Sequence, residues 1–181
     1  MKNSHPHGVC QPPNIRSICK MASLSVHIPP GGKSQSVVWE TPKWLFDRYN
    51  SQFLFSLDVC ACPFNAKCKQ YFTEADDGLA QAWGDNICWM NPPYGKEIAS
   101  WIEKAYRASL KGATVVALLP SRTDTRWWHQ YVTKGEITYL KGRLKFRNIA
   151  GHAETSAPFP SAVVVFRPSK RSVLDCVYPL F

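Results

Sequence analysis

The sequence predicts an α/β protein in which helices cover both faces of a mainly parallel β-sheet. Two observations predict this fold class. Short apolar runs rich in β-branched and aromatic residues alternate along the chain with segments of helical character. The runs at 87–90 and 114–119 are almost wholly apolar, as is typical of strands buried on both faces of a parallel sheet. With 181 residues, the chain can form one domain with a substantial core but hardly two.

The chain is expected to consist of an N-terminal arm and one folded domain. Residues 1–35 are rich in Pro, Ser, Gly, Asn and His and show little periodicity, which predicts a disordered basic arm. Such an arm either adds weak affinity for phosphate groups or has no role of its own. Residues 36–181 form the expected domain. Within it, residues 141–161 are basic at one end, contain Gly, Pro and Ser, and are a candidate insertion.

Local signals predict the elements of the first half of the domain. Thr41 as N-cap and Pro42 at the first helical position predict a helix over 43–49. The segments that follow are predicted to be a buried strand at 53–59, a helix at 65–71, a short helix or turn at 77–83, and a strand at 87–90.

The second half continues the alternation. Apolar residues recur with helical spacing over 96–110, and Gly112 is placed to end that helix at its C′ position. Asp124 can cap a further helix that extends to about Thr133. The remaining strands are predicted at 114–119, 137–140 and 162–166.

The composition favours a polyanionic partner and a reducing compartment. The formal net charge is +9, from 22 basic and 13 acidic residues. Seven irregularly spaced cysteines are typical of reduced thiols and match no usual zinc site, so no metal is expected. The sequence shows neither the apolar core of a signal peptide nor the roughly 20 apolar residues that span a bilayer. We therefore expect a cytoplasmic protein without a membrane partner.

The sequence Asn91-Pro92-Pro93-Tyr94 directly follows the strand predicted at 87–90. Because two prolines stiffen the backbone where the strand stops, the Asn91 amide is left at the edge where open α/β sheets bind ligands. An amide oxygen, a rigid Pro92 carbonyl and the Tyr94 ring suit the recognition of a planar amino group. The alternative is structural: a strand that stops at a Pro-Pro turn, with Asn91 capping the next helix.

Two acidic residues are candidates for binding a nucleoside-like ligand. Asp58 is the one charged residue of an otherwise apolar strand and lies near its C-terminal end, and a buried carboxylate needs donors from the protein or from a ligand. Asp77 suits an adenine amino group or a ribose hydroxyl. The structural alternatives are a cap of the loop at 60–65 for Asp58 and an ordinary Asp-Gly turn for Asp77. The chain lacks the glycine patterns that cradle a pyrophosphate, which argues against NAD, FAD and ATP.

Basic residues follow the later strands. Arg122 and Arg126 lie beyond the strand at 114–119, and Arg143, Lys145 and Arg147 alternate along a predicted strand or hairpin arm. Their functional interpretation is phosphate contact and base readout in a nucleic acid. The alternative is a solvated basic surface.

Taken together, these motifs resemble the phage-type Dam family, S-adenosylmethionine-dependent DNA N6-adenine methyltransferases of bacteriophages and prophages. The resemblance covers roughly residues 37–167, and its motifs occur in the family's order. The motifs are Trp39-Glu40-Thr41-Pro42, Leu57-Asp58-Val59-Cys60-Ala61, Asn65-Ala66-Lys67, Asp77-Gly78-Leu79, Asn91-Pro92-Pro93-Tyr94, Pro120-Ser121-Arg122-Thr123-Asp124-Thr125, Trp127-Trp128, Gly142-Arg143-Leu144-Lys145-Phe146 and Phe159-Pro160-Ser161.

The resemblance implies a fold and a set of site residues. The fold is that of class I methyltransferases, a Rossmann-like three-layer sandwich with a seven-stranded sheet whose last strand is antiparallel. The catalytic residues implied are Asn91, Pro92, Pro93 and Tyr94. The cofactor contacts implied are Trp39, Thr41, Pro42, Asp58, Asn65, Asp77 and Asn91. The chain departs from larger amino-methyltransferases at 60–65, where Cys60-Ala61-Cys62-Pro63-Phe64-Asn65 replaces their glycine-rich motif.

The expected activity is methyl transfer from S-adenosylmethionine to the N6 amino group of adenine in double-stranded DNA, with the base flipped into the pocket at Asn91. We expect a monomer that contacts DNA through Arg122, Arg126, Arg143 and Lys145 and takes its site specificity from 141–161. Such an enzyme could protect phage DNA from restriction. Two alternatives stay open: a methyltransferase for RNA adenine or protein glutamine, and a nucleic-acid-binding domain without activity.

Overall fold

A computed structural model of the protein describes the backbone of residues 23–24, 37–148 and 151–168, and the side chains of 40–146 and 156–168. The main sheet of this part of the chain has six strands in the order β4-β3-β5-β6-β10-β7. Their bounds are β3 Leu57–Asp58, β4 Gln70–Tyr71, β5 Ile87–Met90, β6 Thr114–Pro120, β7 Glu136–Tyr139 and β10 Ser161–Phe166.

Most of this sheet is parallel. Strands β4, β3, β5 and β6 run in one direction, so their carboxyl ends meet at one edge. The strand β10 lies between β6 and β7 and is antiparallel to both. The expected antiparallel last strand is thus confirmed, whereas the described residues form six strands in this sheet and not seven.

Helices α1 (Lys43–Phe53) and α2 (Ile98–Leu110) lie on opposite faces of the sheet. Trp89 of β5 faces α1, whose Phe46 packs edge-on against it with ring centroids 5.4 Å apart. The neighbouring Cys88 points to the other face of the sheet. Phe166 points to that same face, because Cys88 and Phe166 are both paired with Val115 of β6. Phe166 packs against Tyr106 of α2 at 6.3 Å. A short helix, α3 (Arg126–Gln130), and a 3₁₀ turn, Val132–Lys134, complete the helical layer.

A second sheet of four strands, in the order β1-β2-β8-β9, joins the two ends of the domain. Its strands are β1 Ser23–Leu24, β2 Val37–Glu40, β8 Lys145–Asn148 and β9 Gly151–Ser156. The candidate insertion 141–161 thus forms the hairpin β8–β9. The arm predicted for residues 1–35 lies outside the described residues, apart from the backbone of β1.

The N-terminal part of the domain departs from the sequence prediction in two elements. The helix α1 continues past Tyr49 to Phe53, and the strand predicted at 53–59 is reduced to β3. Phe53 extends the helix because its ring stacks on Tyr49 one turn earlier, at 6.4 Å, and on Phe55 at 5.9 Å. Leu54 then ends the helix in the left-handed conformation, with φ of 55°.

The helix predicted at 65–71 is wrong: this segment is a loop that leads into β4. The last residues of the segment, Gln70 and Tyr71, pair with Leu57 and Asp58 of β3 as a parallel strand, so they are extended and not helical. The backbone N–H of Lys67 donates to the Asp58 carboxylate at 3.1 Å and holds the preceding loop beside the same strand. Tertiary contacts therefore decide the conformation of this segment.

Two predicted caps are also wrong, each by one residue. The N-cap position of α1 is Pro42 and not Thr41, and that of α3 is Thr125 and not Asp124. The third helix is shorter than predicted, since α3 gives way to the 3₁₀ turn before Thr133. Gly112 does follow α2 at C′ with φ of +119°, as predicted.

Candidate active site

The candidate site lies at the carboxyl edge of the parallel strands. Asp58 ends β3, Asn91 follows β5, and Ser121 follows β6, so three consecutive strands of the sheet deliver side chains to one edge. Between the first two strands is a narrow cleft. The residues that line it are Thr41, Asp58, Cys60, Asn65, Lys67, Trp89 and Asn91.

Asp58 is the buried acid of this cleft, with only 4% of its surface exposed. Its carboxylate accepts the backbone N–H groups of Lys67 at 3.1 Å and Cys60 at 3.4 Å. Removal from water dominates over these hydrogen bonds and raises the pKa of Asp58 to about 6, against 3.8 in a free side chain. Near neutral pH the cleft therefore holds a carboxylate poised close to its titration range, which is typical of functional sites.

The loop 60–67 covers Asp58 and is held by its own side chains. The Asn65 side-chain oxygen accepts the Cys62 N–H at 2.7 Å, closing a tight turn. Burial raises the pKa of the Cys60 thiol well above its ordinary value, and the charge of Asp58 raises it further. The Asn91 backbone offsets part of this rise in pKa, because Cys60 lies close to the end of β5.

Asn91 and Tyr94 form a bonded pair at the end of β5. The Tyr94 hydroxyl donates to the Asn91 side-chain oxygen at 2.7 Å and also lies 3.1 Å from the Leu118 carbonyl oxygen. Tyr94 is 8% exposed, and its ring meets Phe159 edge-on at 5.6 Å. Burial raises the pKa of Tyr94 well above its ordinary value, so the phenol keeps its proton. The two prolines between Asn91 and Tyr94 hold this geometry.

The structure brings some of the predicted cofactor residues together and leaves others apart. Thr41, Asp58, Asn65 and Asn91 line the same cleft. Pro42 is half-buried at the start of α1 and is not part of the lining. Asp77 is exposed in a neighbouring turn with φ of 50°. The side chain of Trp39 lies outside the described residues.

The predicted nucleic-acid-binding residues are exposed at the same edge or beside it. Arg122 follows β6 and lies 6.0 Å from the ring of Phe159, and Arg126 begins α3. Exposure alternates along 143–146: Arg143 and Lys145 point to solvent, whereas Leu144 and Phe146 are buried. The predicted one-sided basic face is therefore confirmed for these two cations, and the side chain of Arg147 is outside the described residues.

Sequence reasoning did not assign Lys67, Trp89 or Phe159 to the site. Lys67 and Trp89 line the cleft, and Phe159 lies between Tyr94 and Arg122. Each looks ordinary in sequence, since Trp89 belongs to an apolar strand and Phe159 to a turn rich in proline. For Lys67 and Phe159 the usable signal was their place in family-like motifs, which does not say what the side chain touches.

Among the described side chains, His, Cys, Asp and Glu form no group of three or more that could hold a metal ion. Within the part of the chain described here, no helix has the length and apolarity needed to cross a membrane.

Comparison with known proteins gives consistent matches. Residues 31–177 match the family model described as DNA N-6-adenine-methyltransferase (Dam). A DNA N-6-adenine-methyltransferase of Haemophilus phage HP1 (strain HP1c1) is 33% identical over 142 residues, which cover 75% of this chain and 82% of the phage protein. The putative methyltransferase YfdM of Escherichia coli K12 is 36% identical over 63 residues, covering 31% of this chain and 69% of that protein.

Proposed function

The chain belongs to the DNA N-6-adenine-methyltransferase (Dam) family, and from that premise we propose that it transfers a methyl group from S-adenosylmethionine to the N6 amino group of adenine in double-stranded DNA. The proposed setting is the cytoplasm of a bacterial host cell, in keeping with the phage and Escherichia coli relatives. The observation that carries the proposal is the Asn91 amide at the end of β5, beside Tyr94 and within the cleft that contains Asp58.

The strand order supports the finer fold assignment, a class I methyltransferase fold. In this proposal β3, which lies between β4 and β5, carries the cofactor acid, β5 carries the catalytic sequence, and β10 is the inserted antiparallel strand. Helices on both faces of the sheet fit a three-layer sandwich.

The residues of the cleft fit the chemistry of S-adenosylmethionine. Its ammonium and ribose hydroxyls need acceptors, which Asp58 and Asn65 supply, and its carboxylate needs donors, which Thr41 offers. The Trp89 indole N–H is buried and has no hydrogen-bond partner, and Trp89 is one of the residues that line the cleft. An unpaired buried donor of this kind is a polar atom left for a ligand or an ordered water. When bound, the cofactor supplies an electrophilic methyl group.

Asn91 and Pro92 hold the target amino group. The adenine must leave the duplex, at a cost of a few kcal/mol in stacking and pairing. The Asn91 side-chain oxygen and the Pro92 carbonyl then accept hydrogen bonds from the N6 amino group, which favours a nitrogen whose lone pair faces the methyl group. Fixed acceptors of this kind lower the barrier without reorganisation. The Asn91 side-chain oxygen, which accepts a hydrogen bond from the Tyr94 hydroxyl in this structure, is thus the atom that accepts a hydrogen bond from the substrate amino group.

Tyr94 and Phe159 are the aromatic residues of the base pocket. The Tyr94 ring is buried against Phe159, so stacking on a base requires it to turn outward from this contact. Stacking on an aromatic ring is worth about 1–3 kcal/mol per base, enough to offset part of the flipping cost. The cleft as described is therefore a resting arrangement, and base entry exchanges the bond between Tyr94 and Asn91 for bonds to substrate.

The DNA surface proposed for the enzyme contains Arg122, Arg126, Arg143 and Lys145. These cations are exposed, so contact with phosphate oxygens would not require the core to rearrange. The hairpin β8–β9 within 141–161 is the proposed source of sequence specificity, because it begins at the exposed Lys145 and pairs with β2, which ends next to Thr41 of the cleft.

The direct test of this function compares substrates. Purified protein is incubated with labelled S-adenosylmethionine and, separately, unmethylated duplex DNA, RNA and a glutamine-containing peptide. After digestion, the product is identified by mass spectrometry. We expect N6-methyladenine from DNA alone. Label in RNA adenine or glutamine in place of DNA would overturn the DNA assignment and favour the corresponding alternative.

A further inference from the structure

A partly buried ion pair joins Lys67, which lines the cleft, to Glu40 at the end of β2. The Lys67 ammonium lies 2.6 Å from the Glu40 carboxylate, and the side chains are only 15% and 26% exposed, respectively. The other ion pairs of the described residues are on the surface. In the pair Arg167–Glu136, for example, the distance is also 2.6 Å but the exposed fractions are 53% and 63%.

Each partner of the pair is attached to a different part of the site. The backbone N–H of Lys67 bonds the carboxylate of Asp58, so the position of Lys67 decides whether the loop 60–67 closes over that acid. Glu40 is the last residue of β2 and directly precedes Thr41, which lines the cleft. Its backbone is in register with Arg147 of β8, so the carboxylate projects from a strand that is itself paired.

We propose that Glu40 and Lys67 are positioning residues: their ion pair holds the loop 60–67 over Asp58 and against the end of β2, which preorganises the cofactor cleft. This inference rests on the proposed function, because it assigns that cleft to S-adenosylmethionine. Neither residue needs to touch the reacting atoms. Their effect reaches the cofactor through Asp58 and Thr41.

The physical argument is one of partial burial. A half-buried ion pair is screened by solvent less than an exposed one, and removal of one partner leaves the other charge poorly solvated. In Glu40→Gln or Lys67→Met, the loop therefore gains freedom, and the backbone N–H of residue 67 is no longer held on the Asp58 carboxylate. The variants therefore need more free energy to close the loop. Part of the binding free energy of the cofactor is then used to order a loop that the ion pair already orders in the wild type.

The first experiment measures loop closure directly, without cofactor or DNA. Hydrogen–deuterium exchange is followed at the amides of residues 60–67 in the wild type, Glu40→Gln, Lys67→Met and the charge-reversed double variant Glu40→Lys/Lys67→Glu. We expect the backbone amide of residue 67 to exchange at least tenfold faster in both single variants than in the wild type. In the double variant we expect the exchange rate to return part of the way to the wild-type value. Glu136→Gln breaks a surface pair of equal length and is expected to leave this exchange unchanged.

The second experiment measures the consequence for the cofactor. Calorimetric titration with S-adenosylmethionine is expected to give at least tenfold weaker binding in each single variant. In methyl transfer, KM for S-adenosylmethionine is expected to rise by a similar factor while kcat stays within about threefold. A purely structural role would instead lower thermal stability and activity together, without this split between KM and kcat.

The outcomes separate this inference from the proposed function. Unchanged exchange at Lys67 in both single variants overturns the positioning role, whether or not the protein methylates DNA. Faster exchange with unchanged cofactor affinity also overturns it, because loop closure would then be irrelevant to binding. A wild type that binds the cofactor but transfers nothing to DNA counts against the proposed substrate, while the exchange and titration data still test the ion pair.

Discussion

Asp58 is a single buried residue whose charge is expected to cost stability. Its pKa is raised from 3.8 to about 6 because burial disfavours the charge more than two backbone N–H groups favour it. A carboxyl group whose pKa is higher in the folded protein contributes most to stability below the unfolded pKa. That contribution is lost as the pH rises through the folded value. For Asp58 this window runs from about pH 4 to pH 7.

The free energy of unfolding of Asp58→Asn, taken relative to that of the wild type, is therefore expected to be higher at pH 8 than at pH 5. The shift spans about two pKa units, of which about one lies above pH 5. With one pKa unit equal to about 1.4 kcal/mol, the relative gain between pH 5 and pH 8 is about 1.4 kcal/mol. The measurement is the free energy of unfolding of both proteins in denaturant at pH 5 and pH 8. A difference between variant and wild type that does not change with pH would contradict the assigned burial of charge.

The Tyr94 hydroxyl and ring are expected to contribute separately. Tyr94→Phe removes the bonds to Asn91 and Leu118 but keeps the ring against Phe159. We expect a loss of about 1–2 kcal/mol in unfolding free energy, as for a buried hydrogen bond. We expect kcat for methyl transfer to fall only a few fold.

Tyr94→Ala is the matched comparison, because it removes the stacking ring as well. A fall in kcat of about 100-fold is expected if stacking stabilises the flipped base by the upper part of the 1–3 kcal/mol range. Equal losses in Phe and Ala variants would assign the function to the hydroxyl and contradict the stacking role.

At the scale of elements, the site depends on how tightly the turn at 77–83 packs below β3. Gly78 lies so close to its neighbours that a Cβ placed there would overlap the Val59 carbonyl oxygen. The same Cβ would lie 3.0 Å from the Trp101 ring. The Gly78 carbonyl also accepts the Trp83 indole N–H at 2.9 Å. The turn that carries Asp77 is therefore fixed relative to the strand that carries Asp58.

Gly78→Ala is expected to lower the free energy of unfolding by about 1–3 kcal/mol, the usual cost of forcing an extra methyl group into a packed region. Chemical denaturation measures it. Gly95→Ala is a suitable control, because no atom lies within 4 Å of a Cβ at that exposed position. If Gly78→Ala were as stable as the control, the close packing of this turn would be contradicted.

The elements also explain where sequence reasoning succeeded. The strand Ile87–Met90 was predicted with its observed bounds, because four residues of apolar character end in two prolines and need no distant information. The helix predicted at 65–71 failed because residues 70–71 pair with β3 as a strand, while Asp58 holds the loop before them through the Lys67 N–H. The strand predicted from Phe53 failed because stacking of aromatic rings continues α1 through that residue.

At the scale of the molecule, the mainly parallel α/β fold and its antiparallel last strand could be predicted, since both follow from alternation and from the family resemblance. The candidate site was predicted in part: Thr41, Asp58, Asn65 and Asn91 meet in one cleft. The ion pair Glu40–Lys67 was not predictable, because it joins residues of two different sheet regions through side chains alone.

The basic surface is a property of the whole molecule, and its role in DNA binding can be tested by salt dependence. Each phosphate contact contributes about 0.9 to the slope of log affinity against log salt concentration. Arg143→Ser is expected to reduce this slope by about one contact and to weaken binding to all duplexes.

Lys111→Ser provides the matched control, because Lys111 is also exposed but follows α2 at the opposite edge of the parallel sheet. Its slope should equal that of the wild type. Fluorescence anisotropy with a labelled duplex at several salt concentrations gives both values. Equal slopes for Arg143→Ser and the wild type would remove Arg143 from the proposed DNA surface.

The central claim is that the Asn91 amide catalyses methyl transfer to adenine in DNA. The most direct measurement is single-turnover transfer of labelled methyl from saturating S-adenosylmethionine to unmethylated duplex DNA, with wild type and Asn91→Ala side by side. We expect the wild type to form N6-methyladenine and the variant to be slower by about 100-fold or more, the usual effect of removing one preorganised hydrogen-bonding group. Transfer by the variant within a few fold of the wild type, with both proteins folded, would contradict the claim.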